Sequence, residues 1–397
     1  MKKFLFFIFL LFVLFENVYS QVWEEHGYFD VENIRYNMKR VADWQLDHLL
    51  YESGGGYGNM GLIREDSWAR AVFYLGVLST YKTTGDRKYV NEAMTFAERN
   101  NWKVGFNLRN ADDLTVGQVY LELYGLQERE KDAKRLESLK SCLDIMYENP
   151  KTGKEYGWDK NLNWSWSDAL FMVPPSIARL YSITKDEKYL RLLDMYYWES
   201  YDLLFDKDDS LFYRDQRYCF SREGKAKTMS GKKVFWLRGN AWVIGGLVGI
   251  LKYMPKSYAS YNRYLSLYKQ MAKRLLSLQQ IDGLWRSSLL EPWQFPEKET
   301  SGSGLICYAL AWGINQGILD AETYENPIKR TWIALCECVD SNGRLAWVQP
   351  VGHDPQHIKS TDTMEYGTGA FLMAGREIYI MSFVESVKKR HYEDSIY

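Results

Sequence analysis

The chain is short of almost everything that marks a metalloprotein, a nucleotide-binding protein or a disulfide-bonded one. It has five histidines in 397 residues. The one i,i+4 pair, His353 and His357 in "HDPQH", is split by a proline that breaks the helix needed to align two ligands. The five cysteines are Cys142, Cys219, Cys307, Cys336 and Cys338. An odd number dispersed over a long chain excludes a disulfide framework. "CEC" has neither the spacing nor the partners of a zinc site, so buried free thiols are expected. There is no Gly-x-Ser-x-Gly elbow, and no phosphate loop or dinucleotide fingerprint; "SGGGYG" lacks both the strand context and the lysine. An excess of either charge is missing too. Fifty basic residues face 51 acidic ones, a net charge of −1, and the basic residues are scattered, which argues against a nucleic-acid surface. These absences leave acid–base chemistry by carboxylates.

Proline is scarce as well, nine in all, and no Pro/Gly/Ser-rich linker divides the chain. One long apolar run occurs, Phe4–Phe15 in "MKKFLFFIFLLFVLFENVYSQ". It is too short to span a bilayer. Two lysines before it and a small residue at Ser20 give the order of a secretory signal peptide; a membrane anchor is the alternative. Residues 1–20 are therefore expected to be removed and residues 21–397 to form one exported domain, periplasmic or secreted, with no membrane attachment.

What the chain has in abundance is aromatic side chains, 15 Trp and 30 Tyr. An apolar face with a polar edge suits stacking on sugar rings, and equally suits an aromatic core. The helical period dominates: "LESLKSCLDIMYENP", "YNRYLSLYKQMAKRLLSLQQ" and "GNAWVIGGLVGILKYM" carry apolar residues at i, i+3, i+4 and i+7. Alternating β-branched runs are nearly absent. Two phrases repeat. "YKTTGDRKYVNEAMTFAE" at Tyr81 returns as "YSITKDEKYLRLLDMYYWE" at Tyr181. "DDSLFYRD" at Asp208 returns as "IDGLWRSS" at Ile281 and "SNGRLAWVQ" at Ser341. Helical hairpins recurring about every 50–60 residues predict an all-α (α/α)6 barrel, closed where an open solenoid would need caps.

Polar and aromatic residues concentrate at the predicted starts of helices. "RNADDLTVGQVYLELY" offers Asp112 and Asp113, and "WSWSDALFMVPP" offers Asp168 between Trp164, Trp166 and an apolar run. "VFWLRGNAWVIGGL" offers Trp236, Arg238, Asn240 and Trp242. "EKETSGSGLICYALAWG" offers Glu299, and "MEYGTGAFLMAGRE" offers Glu365 and Tyr366. In a barrel of hairpins such starts gather at one end and line a funnel. The competing role for Asp168 is a helix cap.

"WSWSDALFM", "VFWLRGNAWV", "DGLWRSSL", "ETSGSGLICYAL" and "YGTGAFLMAGRE", in this order, resemble the signatures of the unsaturated rhamnogalacturonyl hydrolases, glycoside hydrolase family 105. These are related to the unsaturated glucuronyl hydrolases. The resemblance runs from "ADWQLDHL" at Ala42 to the C-terminal segment. It implies an (α/α)6-barrel enzyme, without cofactor, acting on an oligosaccharide whose non-reducing end is the 4,5-unsaturated uronic acid left by a polysaccharide lyase. The implied reaction is hydration of a vinyl ether: a proton goes to C4, water adds at C5, and the hemiketal opens to expel the remaining chain. By motif the proton donor is Asp168, with Trp164, Trp166, Phe171 and Met172 as apolar surroundings that would disfavour its ionised form. The second acidic position falls on Asp112 or Asp113. Arg238 is the implied partner of the uronate carboxylate, with Trp236, Asn240 and Trp242 beside it. Trp44, Gln45 and Trp68 are further pocket candidates. Where some relatives carry a histidine in the aromatic turn, this chain reads "LFYRDQRYCF", with Arg214 or Asp215 near that place. Two other readings remain: an inverting α/α-barrel glycosidase using the Asp112–Asp113 pair on saturated glycans, and a non-catalytic carbohydrate-binding barrel.

Overall fold

The computed structural model describes residues 27–49, 64–126, 132–151, 164–219 and 227–394, with side chains to 388; the segment expected to be a signal peptide lies outside them. Among the described residues, twelve helices of eleven or more residues alternate between an outer and an inner ring. The outer ones are α1 (Val31–Asp47), α3 (Arg87–Arg99), α6 (Lys134–Glu148), α9 (Lys188–Leu204), α11 (Tyr261–Leu276) and α13 (Ala321–Glu337). The inner ones are α2 (Trp68–Thr84), α5 (Val116–Leu126), α8 (Pro174–Thr184), α10 (Leu237–Tyr253), α12 (Thr300–Asn315) and α14 (Glu365–Asp394). The four-residue turns α4 (Ala111–Leu114) and α7 (Ala169–Met172) lead into α5 and α8.

Burial separates the two rings. The inner α10 buries 14 of its 17 residues, whereas the outer α3 buries four of 13 along one stripe, as expected of a helix packed on one face only. Inner helices pack on their neighbours all the way round, and α14 closes the ring against α2. The chain is thus a barrel and not an open solenoid. Two contacts of that ring require glycine. A Cβ on Gly369 of α14 would stand 2.3 Å from the Val72 carbonyl oxygen of α2, and one on Gly246 of α10 would stand 2.1 Å from that of Leu170.

The repeated phrases are repeated local structures. At Tyr81 and Tyr181 an inner helix ends on a left-handed residue, Gly85 (φ 71°) or Lys185 (φ 59°), whose N–H donates back to the tyrosine carbonyl. Asp86 and Asp186 then accept from the N–H of Lys88 and Lys188 as the next outer helix starts. The Lys-Tyr that follows reaches back to an aspartate on the preceding outer helix. Lys88 and Tyr89 meet Asp43, and Lys188 and Tyr189 meet Asp144. The second phrase is a turn with a left-handed residue each time: Ser210 (φ 55°), Gly283 (φ 83°) and Gly343 (φ 97°). The first of these turns joins β1 (Phe205–Asp206) to β2 (Leu211–Phe212). Each sends an extended aromatic segment from the end of an outer helix toward the start of an inner one. Because the chain alternates direction, all six inner helices start at this same end.

Candidate active site

At the start of α7 the backbone of 164–167 is stitched to the loop after β2. Trp166 bridges Asp215, and the Ser167 N–H donates to the Arg214 carbonyl at 2.8 Å. Asp168 follows at the helix start but makes no capping hydrogen bond, so its carboxylate is not spent on the helix. Its Oδ2 accepts from the Ser167 hydroxyl at 3.1 Å and lies 3.7 Å from Arg214 Nε. The surroundings of Asp168 are therefore not the purely apolar ones expected from its tryptophan neighbours. Trp164 is 1% exposed, packed against Tyr196 and bonded through its carbonyl to Ser200. Trp166 is a buried strand-like residue.

The two aspartates of α4 part company. Asp113 is tied to structure: its Oδ1 pairs with Arg64 at 2.9 Å and its Oδ2 accepts from the Asn107 N–H at 3.2 Å. Asn110 caps the turn in its place, accepting from the Asp112 N–H. Among the described residues the Asp112 carboxyl receives no hydrogen bond, and its electrostatic neighbours are Asp168 and Arg214. Burial, then the negative charge of Asp168, pushes the Asp112 carboxyl up from 3.8 to about 7; Arg214 opposes and Asp113 adds to the rise. Asp112 thus holds a proton when an ordinary carboxyl has lost it.

Arg214 stands between acids. One terminal nitrogen donates to Asp215 Oδ2 at 2.8 Å, and its Nε is buried with no hydrogen-bond acceptor. Asp215 is itself held by both ends of Arg217; although burial opposes ionisation, its bonds to Arg217 and Arg214 keep its carboxyl below the usual value. Asp215 thereby fixes the guanidinium of Arg214 beside Asp168.

Arg238 lies elsewhere in the wall and does a different job. It is 1% exposed. Its Nη1 and Nη2 donate to the carbonyls of Gln349 and Pro350 at 2.5 and 2.9 Å, and it lies over the rings of Trp236 and Tyr366. The expected two-pronged pairing with a uronate gives way to a clamp on the 349–350 loop. Gln349 is the hub, and nothing in the sequence pointed to it. Its side-chain oxygen accepts from Trp236 Nε1 and the Ser287 hydroxyl, both at 2.9 Å. Its N–H donates to Glu299, and its carbonyl also accepts from the Tyr366 hydroxyl. Asn240 is fully buried and holds both backbone groups of Phe212, anchoring β2. Trp236 and Trp242 are buried to 1% and 0% exposure, packed within the wall with no ring face open to the funnel. Glu299 caps α12, and Glu365 pairs with Arg70 through both oxygens, fully buried.

Trp68 is the partly exposed member of an aromatic floor. It stacks on Tyr366 (5.0 Å) and meets Trp242 edge-on, and Trp242 packs on Phe171 (4.8 Å). Trp44 is on the outer α1, stacked on His48, while the neighbouring Gln45 is buried and accepts from Thr368. The structure thus brings together Asp112, Asp168 and Arg214, and places Arg238, Trp236, Asn240, Trp242 and Trp164 in the supporting wall.

A carboxyl pair beside a partly unsatisfied guanidinium, at the funnel end of a closed helical barrel, fits acid-catalysed chemistry on a carbohydrate. Known proteins similar to this chain agree. An unsaturated 3S-rhamnoglycuronyl hydrolase from Formosa agariphila is 37% identical over 87% of this chain and 90% of its own. A solved structure of a glycosyl hydrolase family 88 protein from Bacteroides vulgatus is 27% identical, with a TM-score of 0.77 over 88% of this chain and 99% of that one. Another, named polysaccharide lyase BACCELL_00875, is 27% identical with a TM-score of 0.78, over 90% and 98%. Residues 32–382 match the family described as Glycosyl Hydrolase Family 88. With that match spanning all twelve barrel helices but the last turns of α14, the chain belongs to glycosyl hydrolase family 88.

Proposed function

We propose that this hydrolase removes the 4,5-unsaturated uronic acid from the non-reducing end of oligosaccharides produced by a polysaccharide lyase, and that its aglycone is a rhamnose-containing chain. The observation that carries the reading is the buried Nε–H of Arg214, which has no acceptor and stands 3.7 Å from the Asp168 carboxylate. A uronate carboxylate supplies the missing acceptor. The relatives' names support the substrate class, since the Formosa agariphila protein is named for unsaturated rhamnoglycuronyl ends.

In the resting site the Asp112–Asp168 pair keeps a proton on Asp112 near neutral pH, because burial and then the charge of Asp168 raise the Asp112 carboxyl to about 7. When the substrate carboxylate engages Arg214, that cation no longer serves Asp168 alone, and the proton of the pair moves to Asp168. Asp168 delivers it to C4 of the vinyl ether. The resulting oxocarbenium centre at C5 takes up water, whose proton returns to the carboxylate pair, and the hemiketal opens with loss of the aglycone. No bond at the anomeric carbon is attacked by the enzyme, so carboxylate spacing does not encode retention or inversion here.

The test follows the ultraviolet band of the conjugated uronate during incubation with lyase digests of rhamnose-containing acidic polysaccharides, with intact and saturated chains alongside. Loss of the band in the digest is the expected result. A growing band on intact polymer would instead show elimination, the lyase activity for which one structural neighbour is named. Cleavage of the saturated chain with the band unchanged would give the site to an inverting glycosidase.

A further inference from the structure

The opposite end of the barrel holds a second cavity. It is partly open to solvent and is lined by residues of all six inner helices, from Ser176 in the first turn of α8 to Lys82 and Lys252 in the last turns of α2 and α10. Its wall carries four cations, Lys82, Arg179, Lys252 and Arg376, against two carboxylates, Glu122 and Glu377. Glu122 is spoken for by Lys82 and Arg179 together, and Arg179 also donates to the Tyr253 hydroxyl at 2.7 Å. Glu377 accepts from Asn315 at 2.7 Å, and burial raises its carboxyl, favouring the neutral acid. Among the described residues, Lys252 and Arg376 make no ion pair and no hydrogen bond. Ser176 lines the same cavity with a hydroxyl that is buried and has no partner, the residue being 1% exposed.

Complementing helix dipoles accounts for part of this charge only. Lys82 and Lys252 lie in the last turns of their helices, where a cation is favoured. Arg376 is in the middle of α14, which runs to Asp394, and Arg179 is several residues before the end of α8. Both cations act on Glu377, and Lys252 also on Glu122, but neither is in direct ion-pairing contact with a carboxylate of the described residues; two such cations in a recess, beside an unsatisfied hydroxyl, are the environment of a bound anion with two negative charges.

We propose that this cavity binds a small tetrahedral dianion, phosphate or sulfate, held by Arg376, Lys252 and the Ser176 hydroxyl. The site is separate from the funnel. Phe171, which forms part of the cavity wall, packs on Trp242 (4.8 Å), and Trp242 and Trp68 pack on Tyr366 to complete an aromatic partition. The anion would therefore bind without displacing substrate.

The experiment titrates the full-length protein with sodium phosphate and with sodium sulfate, by calorimetry and thermal denaturation, against sodium chloride at equal ionic strength. Saturable binding with a rise in Tm is expected from at least one of the two. Response to only one names the physiological anion; response to both makes the site a general dianion site. Arg376→Gln and Lys252→Gln, each confirmed folded by its transition without anion, should weaken binding at least tenfold and leave turnover of the unsaturated oligosaccharide unchanged. The proposal falls if no binding saturates, if both variants bind as the parent does, or if binding is lost in Arg214→Gln instead, which would move the anion to the catalytic funnel.

Discussion

Replacing Asp112 with asparagine should make this protein more stable and much less active, and the gain should depend on pH in a defined way. Burial and the charge of Asp168 raise the carboxyl from 3.8 to about 7. Between these values the folded protein holds a proton that the unfolded chain has released, so stability falls as pH rises through this window. The penalty is absent below about pH 4, grows with pH, and levels off above about pH 7. At 1.36 kcal/mol per pH unit the full cost is about 4 kcal/mol, of which about 2 kcal/mol develops between pH 5 and pH 7. An amide is nearly isosteric and does not ionise. Asp112→Asn should therefore gain about 3 kcal/mol relative to the parent on going from pH 5 to pH 8, equivalent to roughly 3–4 °C in Tm for a chain of this length. Urea denaturation of both proteins at pH 5, 6, 7 and 8 measures the difference directly. A stability difference that stays constant across this range would refute the assignment of the raised carboxyl to Asp112. So would a variant that loses ground as pH rises.

Asp168→Asn should keep the fold and lose roughly 10²–10⁴-fold in kcat, the usual contribution of a positioned acid. It should also remove the like charge that helps raise Asp112, which titration of that carboxyl would show as a lower value. Arg214→Gln keeps a hydrogen-bond donor but removes the charge. It should raise KM for the unsaturated substrate by tenfold or more, and an unchanged KM would free Arg214 from carboxylate recognition. Arg238→Ala should act on stability, since it strands the carbonyls of Gln349 and Pro350 and empties the space between Trp236 and Tyr366. A loss of about 3 kcal/mol is expected, read from the urea midpoint, with KM of the folded fraction little altered.

The division between what the sequence disclosed and what it hid follows the range of the interactions involved. The barrel was legible because its hairpins repeat a local device: left-handed helix end, aspartate cap, then a Lys-Tyr reaching the previous outer helix. Each part lies within a few residues of the next, so Tyr81–Tyr89 and Tyr181–Tyr189 spell it twice. The convergence of Asp112, Asp168 and Arg214 was legible for a related reason. Helix starts in an alternating ring must share an end, and polar residues there have no core to fill. The division of labour inside the site was not legible. Asp112 and Asp113 are adjacent and chemically equal, and what separates them is Arg64, nearly fifty residues away, taking Asp113 for itself. Arg238 looked like a carboxylate reader because its neighbours "RGN" carry no information about Gln349, 111 residues further on, whose carbonyl takes its first N–H.

The same logic explains which arginine is free for substrate. A buried guanidinium has five N–H groups to satisfy, and a fold stabilises it only by supplying acceptors or leaving a gap for a ligand to supply them. Both arginines have a buried Nε without a partner, but Arg238 is fixed at both terminal nitrogens by carbonyls and lies over two aromatic rings, so moving it to meet a transient carboxylate would unfasten the loop that Gln349 organises. Among the described residues Arg214 is hydrogen-bonded at one end only, by Asp215, while its Nε lies 3.7 Å from the Asp168 carboxylate, too far for a good hydrogen bond. A substrate anion entering there satisfies a donor the fold leaves open and, by the same contact, weakens the hold of Arg214 on Asp168. Recognition and proton transfer are then one electrostatic event. A substrate lacking the carboxylate would fail to activate the acid as well as bind poorly, which predicts a loss in kcat and not only a rise in KM when the uronate is replaced by its neutral methyl ester.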